Sequence, residues 1–335
     1  MNIEKLSHTS ESSFKLGISR HLCFMAMAVA LNLWAACSRG DSHQKEQATK
    51  AAAENKSPST SDVTGLMPGY NLKQPARVAR LPGSLREASD VTAVSATEIA
   101  MVQDEKGIVY LYDFNVDSVT QKFKFGPKGD FEGIALANDT MYVLKSDGTL
   151  YKIADWRQDT HAVHTSLNLP TADNEGLCFD PVSGKLLISP KSRWKKQMGG
   201  GKHKRPIFAF DPETGELSRE PVFVLHTDDM VAFAHSHHLT LPGKWSKKGK
   251  FKEKLQFRPA AVAVHPVTGH IFIISAKDRV MLSFDREGQI TGLSVLDAEL
   301  FLQPEGMAFL PDGTMIVVNE SPKKKPGLLL FEWKN

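Results

Sequence analysis

QPEGMAFLPDGTMIVVNES, residues 303–321, holds a Glu-Gly pair, an apolar strand, a Pro-Asp-Gly turn and a second β-rich strand. Parts of the pattern recur at DFEGIALANDTMYVL (130–144) and NEGLCFDPVSGKLLIS (174–189). Self-similarity at a fixed period marks a repeat architecture, in which each copy is one supersecondary unit. Glu132 and Glu175 are 43 residues apart; Glu87, in LREASDVTAV, precedes Glu132 by 45. Ala260 stands where the Glu would be in RPAAVAV, 45 residues before Glu305. A period of about 40–50 residues with four short strands per unit is the mark of a β-propeller blade.

The interval from Glu175 to Ala260 is 85 residues, about twice the period. Either one blade carries long insertions there or a degenerate sixth blade does. Two stretches, KSRWKKQMGGGKHKRP (191–206) and LPGKWSKKGKFKEKLQF (241–257), lack strand alternation and are dominated by Lys. They favour insertions. The expectation is therefore an all-β propeller of four-stranded blades, five rather than six, with insertions near 191–205 and 228–257. No helical periodicity stands out after residue 85, and HTDDMVAFAHSHH (226–238) reads as strand or polar loop.

The N-terminus reads differently. The apolar run Leu22–Ala36 is short for a membrane span and suits the core of a signal peptide. Ala35 and Ala36 before Cys37 match a bacterial lipobox, with Trp34 standing where Leu or Val is usual. Residues 1–36 are expected to be a signal peptide and Cys37 a lipidated N-terminus, with plain secretion or an uncleaved anchor as the alternatives. Residues 37–68 would then tether a domain at 69–335 to a membrane outside the cytoplasm, because 38–64 hold almost nothing a core could bury. Cys178, alone in an apolar strand, has no disulfide partner and reads as core.

Net charge is +3, and no helix-turn-helix, zinc-finger or RNA-binding signature occurs, so nucleic acid is not expected as a partner. Seven Lys or Arg in 191–205 and six Lys in 244–254, with Trp194, Trp245 and Phe251 among them, suggest an anionic or protein partner. A monomer is expected.

In a propeller, residues at the start of each blade's first strand sit near one channel mouth, so Glu132, Glu175 and Glu305 should converge, with Glu87 joining them. Glycine after each Glu lets backbones approach closely. Carboxylates gathered in one funnel must protonate, pair or bind a cation. Calcium, which takes six to eight oxygens at flexible geometry, is the natural cation. Asn174 would add a carbonyl oxygen to the three glutamates, and Asp130, Lys191, Asn319 and Glu320 complete the channel candidates. A glutamate that simply accepts hydrogen bonds from the neighbouring blade explains the repeat equally well.

LREASDVTAV, FEGIALANDTMYVLKSDGTLY, NEGLCFDP, RPAAVAVHPVTGHIFIIS and QPEGMAFLPDGTMIVVNES together resemble the SdiA-regulated family, over roughly residues 81–333. The departures are Pro259-Ala260 and the Ser321–Lys run after Asn319-Glu320. The resemblance implies an exported or lipid-anchored bacterial propeller, a cell-envelope or periplasmic address and calcium involvement. It implies binding of a ligand or partner without turnover. The alternatives are a calcium-dependent phosphoesterase or lactonase-like hydrolase, by analogy of fold alone, and an interaction module that works through the basic loops.

Overall fold

The computed structural model describes residues 65–192, 194–321 and 326–334. The signal segment, Cys37 and the stretch to residue 64 lie outside them, as do Lys323–Lys325. Within the described residues the chain forms five antiparallel sheets in sequence order, the blades of a propeller. Their innermost strands are Ala88–Ala93, Phe131–Ala137, Asn174–Asp180, Ala261–Val264 and Pro304–Phe309. Each packs beside the next, and the fifth returns to the first, so the ring closes. Radial repetition of this kind leaves each sheet only short edges.

Middle strands such as Ile271–Ser275 (IFIIS) and Met315–Asn319 (MIVVN) are buried at every position. The reason is architectural. A blade is sandwiched between two others, so both faces of its middle strands are covered, and alternation gives way to continuous apolar runs. The core accordingly divides into five clusters, one at each blade junction; Trp156 and Phe123, for example, stack between blades 1 and 2. Blade 5 is composite. Its outermost strand is Arg77–Arg80, which pairs with Gly327–Phe331, so residues from both ends of the described chain share one sheet.

Blade 3 explains the long interval. Lys204–Asp211 carries two outer partners, Glu216–Leu217 and Phe223–His226. Then follow an α-helix, α1 (Thr227–Ser236), and a two-stranded hairpin, Gly243–Trp245 with Phe251–Glu253. Among the described residues there is no sixth blade. The helix corrects the reading of 226–238 as strand or loop. Thr227, Met230 and Ala234 are buried one helical turn apart, Asp228 and Asp229 sit in the first turn and His235 in the last. The two aspartates suit the positive end of the helix dipole. His235 pairs with Glu253 at the base of the hairpin, at 2.6 Å.

Candidate functional site: the acidic channel mouth

The register of the innermost strands fixes which residues are equivalent. In blades 1, 2, 3 and 5 the pairing slips by one residue at the strand start, skipping Ser89, Glu132, Glu175 and Glu305 respectively. Such a bulge re-aims the side chain it carries. Blade 4 has no slip, and Ala260 hydrogen-bonds straight to Ile274. Glu132, Glu175 and Glu305 therefore share one structural position. In blade 1 that position belongs to Ser89; Glu87 lies two residues before it.

The glycine after each Glu is required by neighbouring backbone. A Cβ on Gly133 would lie 2.8 Å from the Glu175 carbonyl oxygen, one on Gly176 2.8 Å from the Val262 nitrogen, and one on Gly306 2.7 Å from Asp90 Cα. These are contacts between successive blades. The Glu-Gly pair thus does two jobs, with the Gly closing the junction and the Glu pointing from a bulge at the mouth.

The carboxylates act on one another across blades. Burial, then the charges of Glu175 and Asp130, push Glu132 up to about 9. Burial raises Glu175 to about 7 against the pull of Lys191, whose Nζ lies 3.0 Å away, and burial raises Glu305 too. Glu320 rises to about 7 and Asp104 to about 6, each chiefly through burial; Glu87 adds its charge to both. Burial disfavours the Lys191 ammonium, yet Glu175, Glu305 and Glu132 outweigh it and hold its pKa above the ordinary value. Lys191 thus pairs with Glu175 and feels the charges of glutamates from two further blades.

Other candidates have structural duties. The Asn174 amide donates to the Ser146 carbonyl and its oxygen accepts from Thr171, tying blade 3 to blade 2. Asp130 accepts from the Ser146 hydroxyl, Glu320 from the Gln303 amide. Asn319 donates to the Leu300 carbonyl, while its own oxygen is buried without a hydrogen-bond partner. Among the described residues no three His, Cys, Asp or Glu are grouped as a metal would need, and Lys191 places positive charge beside Glu175.

Asp90 is the residue that sequence reasoning missed. It occupies the place of the glycine in blade 1 and is fully buried. Its Oδ2 accepts from the Ile134 N–H at 3.0 Å, while Oδ1 has no hydrogen-bond partner among the described residues. Burial raises its pKa well above the ordinary value, opposed by the N–H groups of Ile134, Val91, Met307 and Leu177. One carboxyl group thus meets the inner strands of four blades. A signal existed: Ser89 precedes Glu132 by the same 43 residues that separate Glu132 from Glu175.

Beyond Asp90 the channel widens into an apolar cavity of about 370 Å³ walled by all five blades, among them Thr92, Leu136, Cys178, Phe179, Val264 and Phe309. Cys178 is thus a partly buried wall residue, and burial pushes its thiol well up. At that end Arg286 of blade 4 grips the buried Asp180 of blade 3 with two hydrogen bonds, 3.1 and 2.6 Å.

No protein-family profile matches the chain, and no curated protein does. Among solved structures, a glutaminyl cyclase from Myxococcus xanthus aligns over 78% of this chain and 97% of its own, with a TM-score of 0.48 and 14% identity. A Bacteroides thetaiotaomicron protein of unknown function aligns over 70% and 57%, with a TM-score of 0.45 and 13% identity. A chain of a nidogen–laminin complex aligns over 69% and 72%, with a TM-score of 0.44 and 10% identity. None of these likenesses bears on what this chain does.

Proposed function

We propose that this is a binding propeller of the bacterial cell envelope, anchored through Cys37, whose acidic mouth takes a ligand bearing an ammonium or guanidinium group and performs no turnover. One observation carries the binding reading: equivalent glutamates from three blades lie at one mouth, where the Lys191 ammonium pairs with Glu175 at 3.0 Å and feels the charges of Glu305 and Glu132. A second cation entering the mouth would discharge protons from Glu132 and Glu175 and gain charge-assisted hydrogen bonds. The residues favour binding over hydrolysis. The thiol of Cys178 is pushed up and lies beyond Asp90. His265 is buried and held neutral, its pKa lowered to about 4 chiefly by burial.

Calorimetry of the full-length protein with putrescine, arginine methyl ester and calcium tests the reading, repeated in buffers of differing ionisation enthalpy. Heat that varies with the buffer, from an amine, and that disappears in Glu132→Gln/Glu175→Gln supports it. Heat from calcium alone would move the proposal to the metal, and no heat from any of the three would end it.

A further inference from the structure

The hairpin Gly243–Trp245/Phe251–Glu253 is a two-stranded sheet that joins no blade. Every residue from Gly243 to Lys252 is exposed, and two-stranded ribbons are marginal without a partner surface. Its register sorts the side chains. Trp245 pairs across from Phe251, placing both rings on one face with centroids 5.4 Å apart. Lys244 pairs across from Lys252 and faces the other way, while the turn adds Lys247, Lys248 and Lys250. Trp245 is 61% exposed and Phe251 39%. Among the described residues none of these five lysines makes an ion pair.

A second tip repeats this chemistry. The loop after Pro190 exposes Met198 beside Lys195 and Lys196 in a single 3-10 turn, with Lys202 exposed nearby. Both insertions lie on the same end of the propeller by topology. The loop joins a second strand to a third, the hairpin joins an outermost strand to the next innermost one, and both connections run at the end where the innermost strands begin.

We propose that this end docks on an anionic lipid bilayer, with Trp245, Phe251 and Met198 entering the interface and the lysines meeting headgroups. Aromatic rings favour the membrane–water interface, and basic side chains near an anionic surface each add binding energy that salt screens. Charge selects lipid over nucleic acid. A phosphate chain crossing this end would meet the acidic mouth, whereas a flat bilayer touches only the projecting tips. The inference is independent of what the mouth binds.

The test uses full-length protein mixed with phosphatidylcholine vesicles, with and without phosphatidylglycerol, and brominated lipid as quencher. The emission of Trp245 is isolated as the difference between wild type and Trp245→Phe. Quenching of this component is expected only when phosphatidylglycerol is present. It should reverse in high salt and weaken at least about tenfold when Lys244, Lys247, Lys248, Lys250 and Lys252 become Gln. Because the exposed hairpin contributes nothing to the core clusters, the variant should keep its melting temperature, which confirms that folding is intact. An unquenched Trp245, or equal quenching on neutral vesicles, would overturn the proposal. Salt-sensitive binding of single-stranded DNA or an acidic peptide with Trp245 unquenched by lipid would assign the tips to a soluble partner instead.

Discussion

The two mouths of the channel are made by the same five strands and have opposite chemistry. At the strand starts, bulged glutamates from three blades act on one another, and Glu175 pairs with the Lys191 ammonium. At the strand ends, Leu136, Phe179, Val264 and Phe309 line an apolar cavity, and the notable charge is the Arg286–Asp180 clamp at its margin. Asp90 sits between them. The difference shows how a repeat divides its labour. In blades 2, 3 and 5 the position that closes blade on blade is glycine, because neighbouring backbone leaves no room for more. Positions that face the channel are free to differ from end to end, and that freedom is where a site can be built.

Four measurements would break or sharpen this contrast. The largest effect should come from Gly306→Val at the acidic end. Its Cβ falls 2.7 Å from Asp90 Cα, so blades 5 and 1 must part, at a cost of about 3 kcal/mol. Chemical denaturation would read it, and a stability loss below about 1 kcal/mol would refute the close-approach account. Arg286→Ala, at the apolar end, should cost about 2–3 kcal/mol, less than a wholly buried pair because the arginine is partly exposed. The Arg286 pair, with burial opposing it, keeps the Asp180 carboxyl below its usual range. Its contribution is present above the ordinary carboxylate pKa and is lost as pH falls through the depressed value. The variant's deficit should therefore shrink in acid.

Glu132 behaves in the opposite sense. Its folded-state pKa is raised from 4.5 to about 9, so the native protein holds a proton that the unfolded chain releases. Stability should fall as pH climbs through that window, and Glu132→Gln should flatten the decline, gaining about 1–2 kcal/mol near pH 9 because neighbouring groups absorb part of the full linkage. Parallel melting curves for both proteins from pH 5 to 9 would contradict this. Asp90→Asn should give the smallest change, under about 1 kcal/mol at neutral pH, since a buried protonated acid and an amide can both accept from Ile134. A large loss would mean that Asp90 is ionised in the folded protein.

The architecture was readable because blade packing leaves a regular imprint: Glu-Gly at 132–133, 175–176 and 305–306 encodes a bulge followed by a close contact. Five blades followed from the same spacing once the Lys-rich runs were taken as insertions. The helix at Thr227–Ser236 was hidden by its histidines, which draw the eye to metals, although Thr227, Met230 and Ala234 already carried the helical interval. At the mouth, the glutamates could be named from sequence but the pairing with an ammonium could not, since Lys191 reaches Glu175 only through the pairing of two strands. Asp90 was missed for a comparable reason. Blade 1 replaces the Glu-Gly pair with Ser-Asp, and only strand register reveals the substitution.

Blade 5 has a kinetic consequence. Its outermost strand, Arg77–Arg80, pairs with Gly327–Phe331, so the first strand of the propeller must wait for the last before the ring can shut. Loop closure over so much chain is slow relative to the hairpins that build each blade. The order of assembly is thereby dictated: blades 1 to 4 can fold as they emerge, and the circle locks only when the C-terminal strands arrive. Until that moment the innermost strands of blades 1 and 4 lack their fifth neighbour. An incomplete chain of this protein would therefore offer two open flanks to any second copy it met.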